Sequence, residues 1–289
     1  MARGLFRVRL PDGSTRLARG DVHTGPQELL APDVSLDALL ARGPAALLEV
    51  VRQGPSAGSA RGAHVLAPVE SQEVWAAGVT YERSRDARME ESAEPSVYDH
   101  VYDAVRPELF FKSVGWRVRG PGESIGVRAD STWDVPEPEL ALVITASLEV
   151  AGYLIGNDMS SRSIEGENPL YLPQAKVYDG SCALGPCIVP VGEVEPPFEI
   201  HLRVMRGGAT IVDDRTSSGR LRRSFAELAE HLGSALTFPA GAILLTGTGV
   251  VPDPNFTLRD GDEVRVEIEG LGELVNPVVR VGRSAAKAP

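Results

Sequence analysis

Short apolar runs separated by Gly and Pro turns dominate the chain from Leu109 onward, and they predict strands. Two runs, Ile200–Met205 and Val264–Ile268, show the two-residue alternation of a half-buried strand. Near the start, Gly4–Leu10 and Ser14–Ala18 flank the turn Pro11-Asp12-Gly13 and predict a β-hairpin. The remaining strand candidates are 74–79, 140–145, 150–155, 188–191, 211–212, 242–245 and 274–279.

Helices are fewer, and capping residues mark them. Ser35 suits the N-cap of a short helix over 36–41, and Pro44 suits the first turn of a second helix that runs to Val51. Ser224 begins a capping box, Ser-Phe-Ala-Glu, that is followed by an apolar helical face. Two further helices are predicted, one over the polar segment 81–94 and one after Ser96, where valines recur every fourth residue.

One stretch divides the chain into two unequal parts. Gly54–Gly62 is rich in Gly and Ser and lacks periodicity, so it is interpreted as a linker. We therefore predict a small N-terminal α+β domain over residues 1–65 and a larger, mostly β catalytic domain over 66–289. The small polar residues Ser284–Pro289 are predicted to form a frayed tail.

Composition excludes several classes of protein. The formal net charge of −11 leaves no excess of Lys and Arg to neutralise phosphates, so a nucleic-acid partner is not expected. No run approaches the roughly 20 apolar residues that span a bilayer, and no signal peptide follows the first basic residues, so we expect no membrane partner. The two cysteines, Cys182 and Cys187, are interpreted as buried free thiols of a cytoplasmic protein.

The most informative segment carries carboxylates at the start of a predicted strand. Glu137 and Glu139 lie two residues apart, so strand geometry puts both on one face. If the next run pairs with this strand through a turn near Leu148, Asp158 returns beside them. Three oxygen ligands on a rigid sheet suit Mg²⁺, and Mn²⁺ and Ca²⁺ fit the same donors. By spacing alone, solvated carboxylates at a strand end are an equally good interpretation.

Longer runs carry a family resemblance over roughly residues 74–281. In order and spacing, the chain resembles the fumarylacetoacetate hydrolase family in the runs PEPELALVI, AGYLIGNDMSSRSIE, QAKVYDGSCALGPCIV, LLTGTGV and DGDEVRVEIEGLGELVNPV. The resemblance implies a β-sandwich roll as the catalytic fold, a divalent metal on Glu137, Glu139 and Asp158, and a homodimer or higher homo-oligomer. It also implies a small 2-oxo acid as substrate, with Lys176 beside the metal and Thr248 on the substrate carboxylate.

One motif departs from the carbon–carbon hydrolases of this family. Those enzymes resemble N-Y-x-x-H-x-x-E, in which the His and Glu activate water. Here Ser84 and Ala87 stand at those two positions, and neither side chain can act as a base near neutral pH. The five histidines, His23, His64, His100, His201 and His231, all lie outside the motif segments. Water attack on a diketone is therefore poorly supported.

The runs GVTYERSRDAR and RPELFFKS, together with ENPLYLPQAKVYDGSCALGP, resemble the 2-keto-3-deoxy-pentonate dehydratases of the same family. That branch converts an arabinonate or xylonate derivative to 2,5-dioxopentanoate. The resemblance implies that Glu108 and Lys176 are the acid–base pair, with their division of roles open. It also implies that the substrate is held by Ser84, Arg85, Lys112 and Thr248.

Two other functions stay open at this stage. One is hydrolysis or decarboxylation of an acylpyruvate or related diketo acid, which the missing His disfavours. The other is a catalytically silent metal-binding paralogue, which the complete set of acidic residues and Lys176 disfavours. The sequence therefore predicts a Mg²⁺-dependent hydro-lyase that removes a proton from C3 and the hydroxyl group from C4.

Overall fold

The computed structural model describes residues 2–91 and 95–283. The predicted tail, 284–289, and the end of the predicted helix over 81–94 lie outside the described residues. The strands are β1 (Arg3–Arg9), β2 (Thr15–Asp21), β3 (Gly25–Leu29), β4 (His64–Leu66), β5 (Glu73–Gly78), β6 (Glu108–Val114), β7 (Ile125–Arg128), β8 (Asp134–Val135), β9 (Pro138–Ile144), β10 (Val150–Asp158), β11 (Ser160–Ser161), β12 (Cys182–Pro190), β13 (Glu199–Arg206), β14 (Ala209–Ser217), β15 (Ala242–Leu245), β16 (Glu263–Ile268) and β17 (Gly272–Val281). The helices are α1 (Leu36–Arg42), α2 (Pro44–Gln53), α3 (Glu82–Glu91), α4 (Pro95–Asp103), α5 (Arg162–Glu167), α6 (Leu172–Lys176) and α7 (Phe225–Leu232).

Two large sheets form the framework of the described chain. The larger has the strand order β3-β2-β1-β12-β10-β9-β15-β5-β6, with β4 also paired to β1, and the smaller has the order β14-β13-β16-β17-β7. Side chains from β9 and β10 pack with those of β13 and β16 in one apolar cluster. The mixed, mostly β fold expected from the sequence is therefore confirmed.

Strand β9 lies at the centre of the molecule and is buried along its whole length. Leu140, Leu142 and Ile144 face the cluster shared with the smaller sheet. Ala141 and Val143 face a second cluster, to which α1 and α2 contribute Leu40 and Leu47 among others. Because both faces of β9 are covered, its sequence is a continuous apolar run rather than an alternating one.

Local signals in the sequence predicted several elements correctly. The N-terminal hairpin forms with Phe6 opposite Ala18. The Ser35 hydroxyl accepts a hydrogen bond from the Ala38 amide at 3.2 Å, and the Ser224 hydroxyl accepts one from the Glu227 amide at the same distance. These caps satisfy amides that the first helical turn leaves without intrahelical partners.

The N-terminal part is hydrogen-bonded to the rest of the chain. Strand β1 pairs with β12, so the predicted N-terminal domain extends the large sheet. Residues 54–62 do not form the free linker that their composition indicates. The Leu29 amide donates to Gly58 and the Ala57 amide donates to Leu29, which fixes this segment along β3. The boundary near residue 65 stays a prediction.

No helix of the described residues is long and apolar enough to cross a membrane. Both cysteines are free and buried, as expected.

The cap of α7 gives a test of the fold. We expect Ser224→Ala to lower the free energy of unfolding by about 1 kcal/mol, because the Glu227 amide loses its acceptor. Urea denaturation measures the change. Ser56→Ala is the control, since Ser56 is exposed and caps no helix; its hydroxyl contacts the Gly58 carbonyl at 3.4 Å and lies beside Glu28. A loss of the same size in both variants would contradict the capping role.

Candidate active site

Three carboxylates meet where β9 begins and β10 ends. The two strands are antiparallel and pair Glu139 with Gly156. The Asp158 amide donates to the Glu137 carbonyl at 2.9 Å, which continues the pairing past the strand end. The carboxylate oxygens of Glu137, Glu139 and Asp158 lie within 4.8 Å of one another, and all three residues are buried. The predicted return of Asp158 to the two glutamates is confirmed.

The first of these carboxylates is surrounded by cations. Glu137 accepts hydrogen bonds from Arg88 at 2.8 Å, Arg162 at 3.0 Å and Lys176 at 2.6 Å. Burial alone would raise the pKa of Glu137, but the positive charges of Lys176, Arg88 and Arg162 hold it well below its usual range. Glu137 is therefore a fixed negative charge.

Glu139 has the opposite environment. Its Oε2 accepts a hydrogen bond from the Gly247 amide at 2.6 Å. Burial and the neighbouring negative charges of Asp158 and Glu137 raise the pKa of Glu139 well above its usual range. A further cation beside Glu139 would therefore stabilise its ionised form.

Lys176 lies at the end of α6 and contacts the carboxylates of Glu137 and Asp158. Its ammonium group donates to Glu137 at 2.6 Å, to Asp158 at 3.0 Å and to the Ser160 hydroxyl at 2.5 Å. Burial lowers the pKa of Lys176, but the negative charges of Asp158, Glu137 and Glu165 outweigh burial and keep the pKa above its usual value. In this arrangement Lys176 is a charged proton donor rather than a neutral base.

Glu108, the first residue of β6, enters the same site opposite Gly78 of β5. A Cβ atom at Gly78 would lie 2.2 Å from Glu108 Oε2, so only glycine leaves room for the carboxylate. Burial and the charge of Glu165 raise the pKa of Glu108 to about 7. A carboxyl group with this pKa exchanges protons readily at neutral pH.

These groups surround one small pocket. Ser84 and Thr248 line it together with the carboxylates, Glu108 and Lys176. The described residues that line it include no histidine. The free space between the walls is about 10 Å³, which is room for about one water molecule. A sugar acid would therefore require side chains of the pocket to move.

Two residues expected to bind substrate lie elsewhere. Arg85 donates to Asp86 at 2.7 Å and stacks on Tyr102, on the outer side of α3. Lys112 is completely buried beneath the site, where it contacts Asp158 and donates to two backbone carbonyls. Neither lines the pocket.

Three further residues of the site were not predicted from the sequence. Arg88 and Arg162 bind Glu137, and Glu165 forms an ion pair with Arg88 at 3.2 Å. Helical spacing carried a signal for one of them, since Ser84 and Arg88 are four residues apart and share a face of α3. The charge of Arg162 gave no sign of burial, because exposed arginines are far more common.

The three carboxylates fit a hard divalent cation. All three donors are oxygens and they are rigidly held. At Glu139 the positive charge of Lys176 does not outweigh burial and the repulsion of the other two carboxylates. Mg²⁺ prefers oxygen ligands, and Mn²⁺ accepts the same set. Glu137, Glu139 and Asp158 would hold the ion.

Comparison with known proteins agrees with this geometry. Residues 73–279 match the model of the fumarylacetoacetate (FAA) hydrolase C-terminal family. The chain is 52% identical over 220 residues to a probable 2-keto-3-deoxyxylonate dehydratase of Haloferax volcanii. The aligned region covers 75% of this chain and 76% of the relative. It is 42% identical over 217 residues to a 2-dehydro-3-deoxy-D-arabinonate dehydratase of Saccharolobus solfataricus, with 73% of each chain covered.

Solved structures give the same result for the whole fold. A 2-keto-3-deoxy-D-arabinonate dehydratase in complex with magnesium and 2,5-dioxopentanoate superimposes with a TM-score of 0.84 at 32% identity. The match covers 97% of this chain and 100% of that one. The similarity therefore includes the N-terminal part, which lies outside the matched family model.

The contrast between Glu137 and Glu139 gives a second test. Glu139→Gln should lower Mg²⁺ affinity by about 100-fold, since a charged ligand is lost, without lowering the free energy of unfolding in chelator. Glu137→Gln should cost about 3 kcal/mol of stability, because Arg88, Arg162 and Lys176 are left without their shared anion.

Calorimetric Mg²⁺ titration and urea denaturation measure the two effects. Glu149→Gln is the matched control, since Glu149 lies in the β9–β10 turn and contacts only Ser147 by its side chain. Equal stability losses at positions 137 and 139 would contradict the proposed division of charge.

Proposed function

This chain belongs to the fumarylacetoacetate hydrolase family, and we propose that it is a Mg²⁺-dependent dehydratase of a 2-keto-3-deoxy-pentonate, either the arabinonate or the xylonate. The product is 2,5-dioxopentanoate. The observation that carries the proposal is the pairing of a buried carboxylate triad with Lys176 and with a Glu108 of near-neutral pKa, in a pocket whose described walls contain no histidine. The sequence similarity to two dehydratases of such substrates supports the same substrate class.

The charges around the pocket are suited to a metal ion and an organic acid. Five carboxylates face four cationic side chains, and one divalent ion with one substrate carboxylate would make the site neutral. The carboxylates are Glu108, Glu137, Glu139, Asp158 and Glu165, and the cations are Arg88, Lys112, Arg162 and Lys176. Because a buried net charge is costly, this balance favours a monoanionic substrate bound with the metal.

The acid–base roles follow from the surroundings of each group. Mg²⁺, when bound, supplies the Lewis acidity that polarises the 2-oxo group of the substrate. Glu108 accepts the proton from C3, since its pKa is close to neutral. Lys176 is an ammonium held by three acceptors, and it donates the proton with which the C4 hydroxyl leaves as water. Proton transfer from C5 to C3 then gives an enol with a double bond between C4 and C5, and transfer of its hydroxyl proton to C4 gives the aldehyde.

Substrate binding is assigned to the remaining polar walls. Ser84 and Thr248 both line the pocket, Ser84 from α3 and Thr248 from the segment after β15. Thr248 suits the substrate carboxylate, as the family resemblance implies, and Ser84 suits a substrate hydroxyl. Arg85 is left out of this assignment because its side chain is held by Asp86 on the outside of α3.

The oligomeric state and the cellular location of the protein are proposed from the family resemblance and from its cysteines. The family resemblance supports a homodimer, which light scattering would report as about twice the chain mass of 30.8 kDa. The two free, buried thiols fit a reducing cytoplasm.

A coupled assay tests the reaction. Protein with Mg²⁺ is given 2-keto-3-deoxy-arabinonate or 2-keto-3-deoxy-xylonate, and a 2-oxoglutarate semialdehyde dehydrogenase reports the product as reduced nicotinamide. We expect turnover of at least one substrate and its loss in EDTA, with recovery when Mg²⁺ is restored. Cleavage of acetylpyruvate without any dehydration would establish the hydrolase instead, and turnover of none of these compounds would favour a silent metal-binding protein.

The pH profile tests Glu108. A base must be ionised, so kcat/KM should fall about tenfold per pH unit below about pH 7, where Glu108 takes up its proton, and should level off above it. Glu108→Gln should lower kcat by about 100- to 10,000-fold and abolish this acidic limb. Glu149→Gln should leave both unchanged. An acidic limb that survives in Glu108→Gln would assign the base to another group.

A further inference from the structure

Lys112 occupies a place in the chain where the regular pairing of two strands is interrupted. Strand β5 pairs Val74 with Ser113 but the next residue, Trp75, with Phe111. Lys112 is thus the extra residue of a β-bulge in β6. Bulges redirect a side chain away from the alternation of a regular strand, and they are enriched beside active sites.

The redirected side chain ends below the carboxylate cluster with no access to solvent. Lys112 is 0% exposed. Its ammonium forms an ion pair with Asp158 Oδ1 and donates to the backbone carbonyls of Met159 at 2.9 Å and Lys176 at 2.6 Å. Two of the three N–H groups of the ammonium are thus hydrogen-bonded to carbonyls, and its charge is paired with Asp158.

These three partners, one carboxylate and two carbonyls, belong to Asp158, Met159 and Lys176. Asp158 is the ligand from β10, the Met159 carbonyl follows it in the chain, and the Lys176 carbonyl belongs to the proposed proton donor. We propose that Lys112 is a positioning residue, which holds the Asp158 ligand and the end of α6 in register through one buried ammonium. It acts through Asp158 and Lys176 and does not contact the substrate.

This role differs from the substrate contact that the family resemblance implies for Lys112. A substrate contact requires the ammonium to reach the pocket wall, whereas Lys112 is absent from that wall, donates two hydrogen bonds to backbone carbonyls and pairs its charge with Asp158. Burying an ammonium is costly unless it is fully hydrogen-bonded. The bulge and the burial together therefore indicate that Lys112 is an internal positioning residue.

Mn²⁺ bound in place of Mg²⁺ gives a readout that needs no turnover. The charge of Lys112 opposes a metal ion, while its hold on Asp158 favours one, so the geometry of the bound ion is more diagnostic than its affinity. Lys112→Met removes the charge and the donors, and Lys112→Gln keeps an N–H group without the charge. In the absence of substrate, we expect the electron paramagnetic resonance line shape of bound Mn²⁺ to change in both variants.

Kinetics form the second arm, which rests on the proposed dehydratase function. A positioning role predicts that kcat falls about tenfold or more, with KM within about twofold of the wild-type value. Lys176→Met is the comparison, because it should lose turnover through direct loss of the proton donor. If the wild-type protein has no dehydratase activity, the proposed function fails, but the Mn²⁺ line shape still tests Lys112.

Ser113→Ala is the matched control, since Ser113 is buried next to Lys112 on β6 and its hydroxyl contacts only the Val114 carbonyl. It should retain the wild-type line shape and kinetics. A wild-type line shape in the folded Lys112 variants would overturn the proposal, as would a raised KM with unchanged kcat. Failure of both variants to fold, with Ser113→Ala folded, would also overturn it in favour of a role in stability alone.

Discussion

The pairing of β9 with β10 buries three carboxylates at one point, and much of the surrounding structure compensates for that charge. Bringing like charges together out of water is costly. Here the cost is offset by cations from four different elements: Arg88 on α3, Lys112 on β6, Arg162 on α5 and Lys176 on α6. The charged groups of the site are therefore positioned by the same electrostatic forces that hold these elements on the sheet.

The compensation is uneven, and the unevenness gives the site its chemistry. Glu137 takes three of the cationic contacts and is a permanent anion, whereas Glu139 has only an amide partner among the described residues. A divalent ion therefore gains the most electrostatic stabilisation beside Glu139. Glu108 stands outside these ion pairs, and its pKa of about 7 lets it exchange a proton that the paired groups cannot.

The fold contributes rigidity more than reactivity. Strand β9 is covered on both faces, so the glutamates at its start are anchored to a strand that is packed between two apolar clusters. Glu108 and Lys112 come from one edge strand, β6, in which Gly78 across the pair makes room for the first and a bulge redirects the second. Small departures from regular strand geometry thus place Glu108, the proposed acid–base group, and Lys112, the proposed positioning residue, beside the carboxylates.

The sequence alone determined those features that are local or that repeat with a fixed period. The caps at Ser35 and Ser224 and the meeting of Asp158 with Glu137 and Glu139 follow from patterns over a few residues or from one turn between adjacent strands. Motif runs along most of the chain also predicted the family, which the family model over residues 73–279 confirms.

Only the tertiary structure decided which charged side chains face inward. Arg85 and Arg88 are three residues apart on α3, yet one is paired at the surface and the other is buried on Glu137. The family resemblance implies that Lys112 contacts the substrate, but its ammonium contacts Asp158, Met159 and Lys176 instead. The direction of each charge depends on partners brought together by long-range strand pairing and by a one-residue bulge, and neither leaves a periodic signal in the sequence.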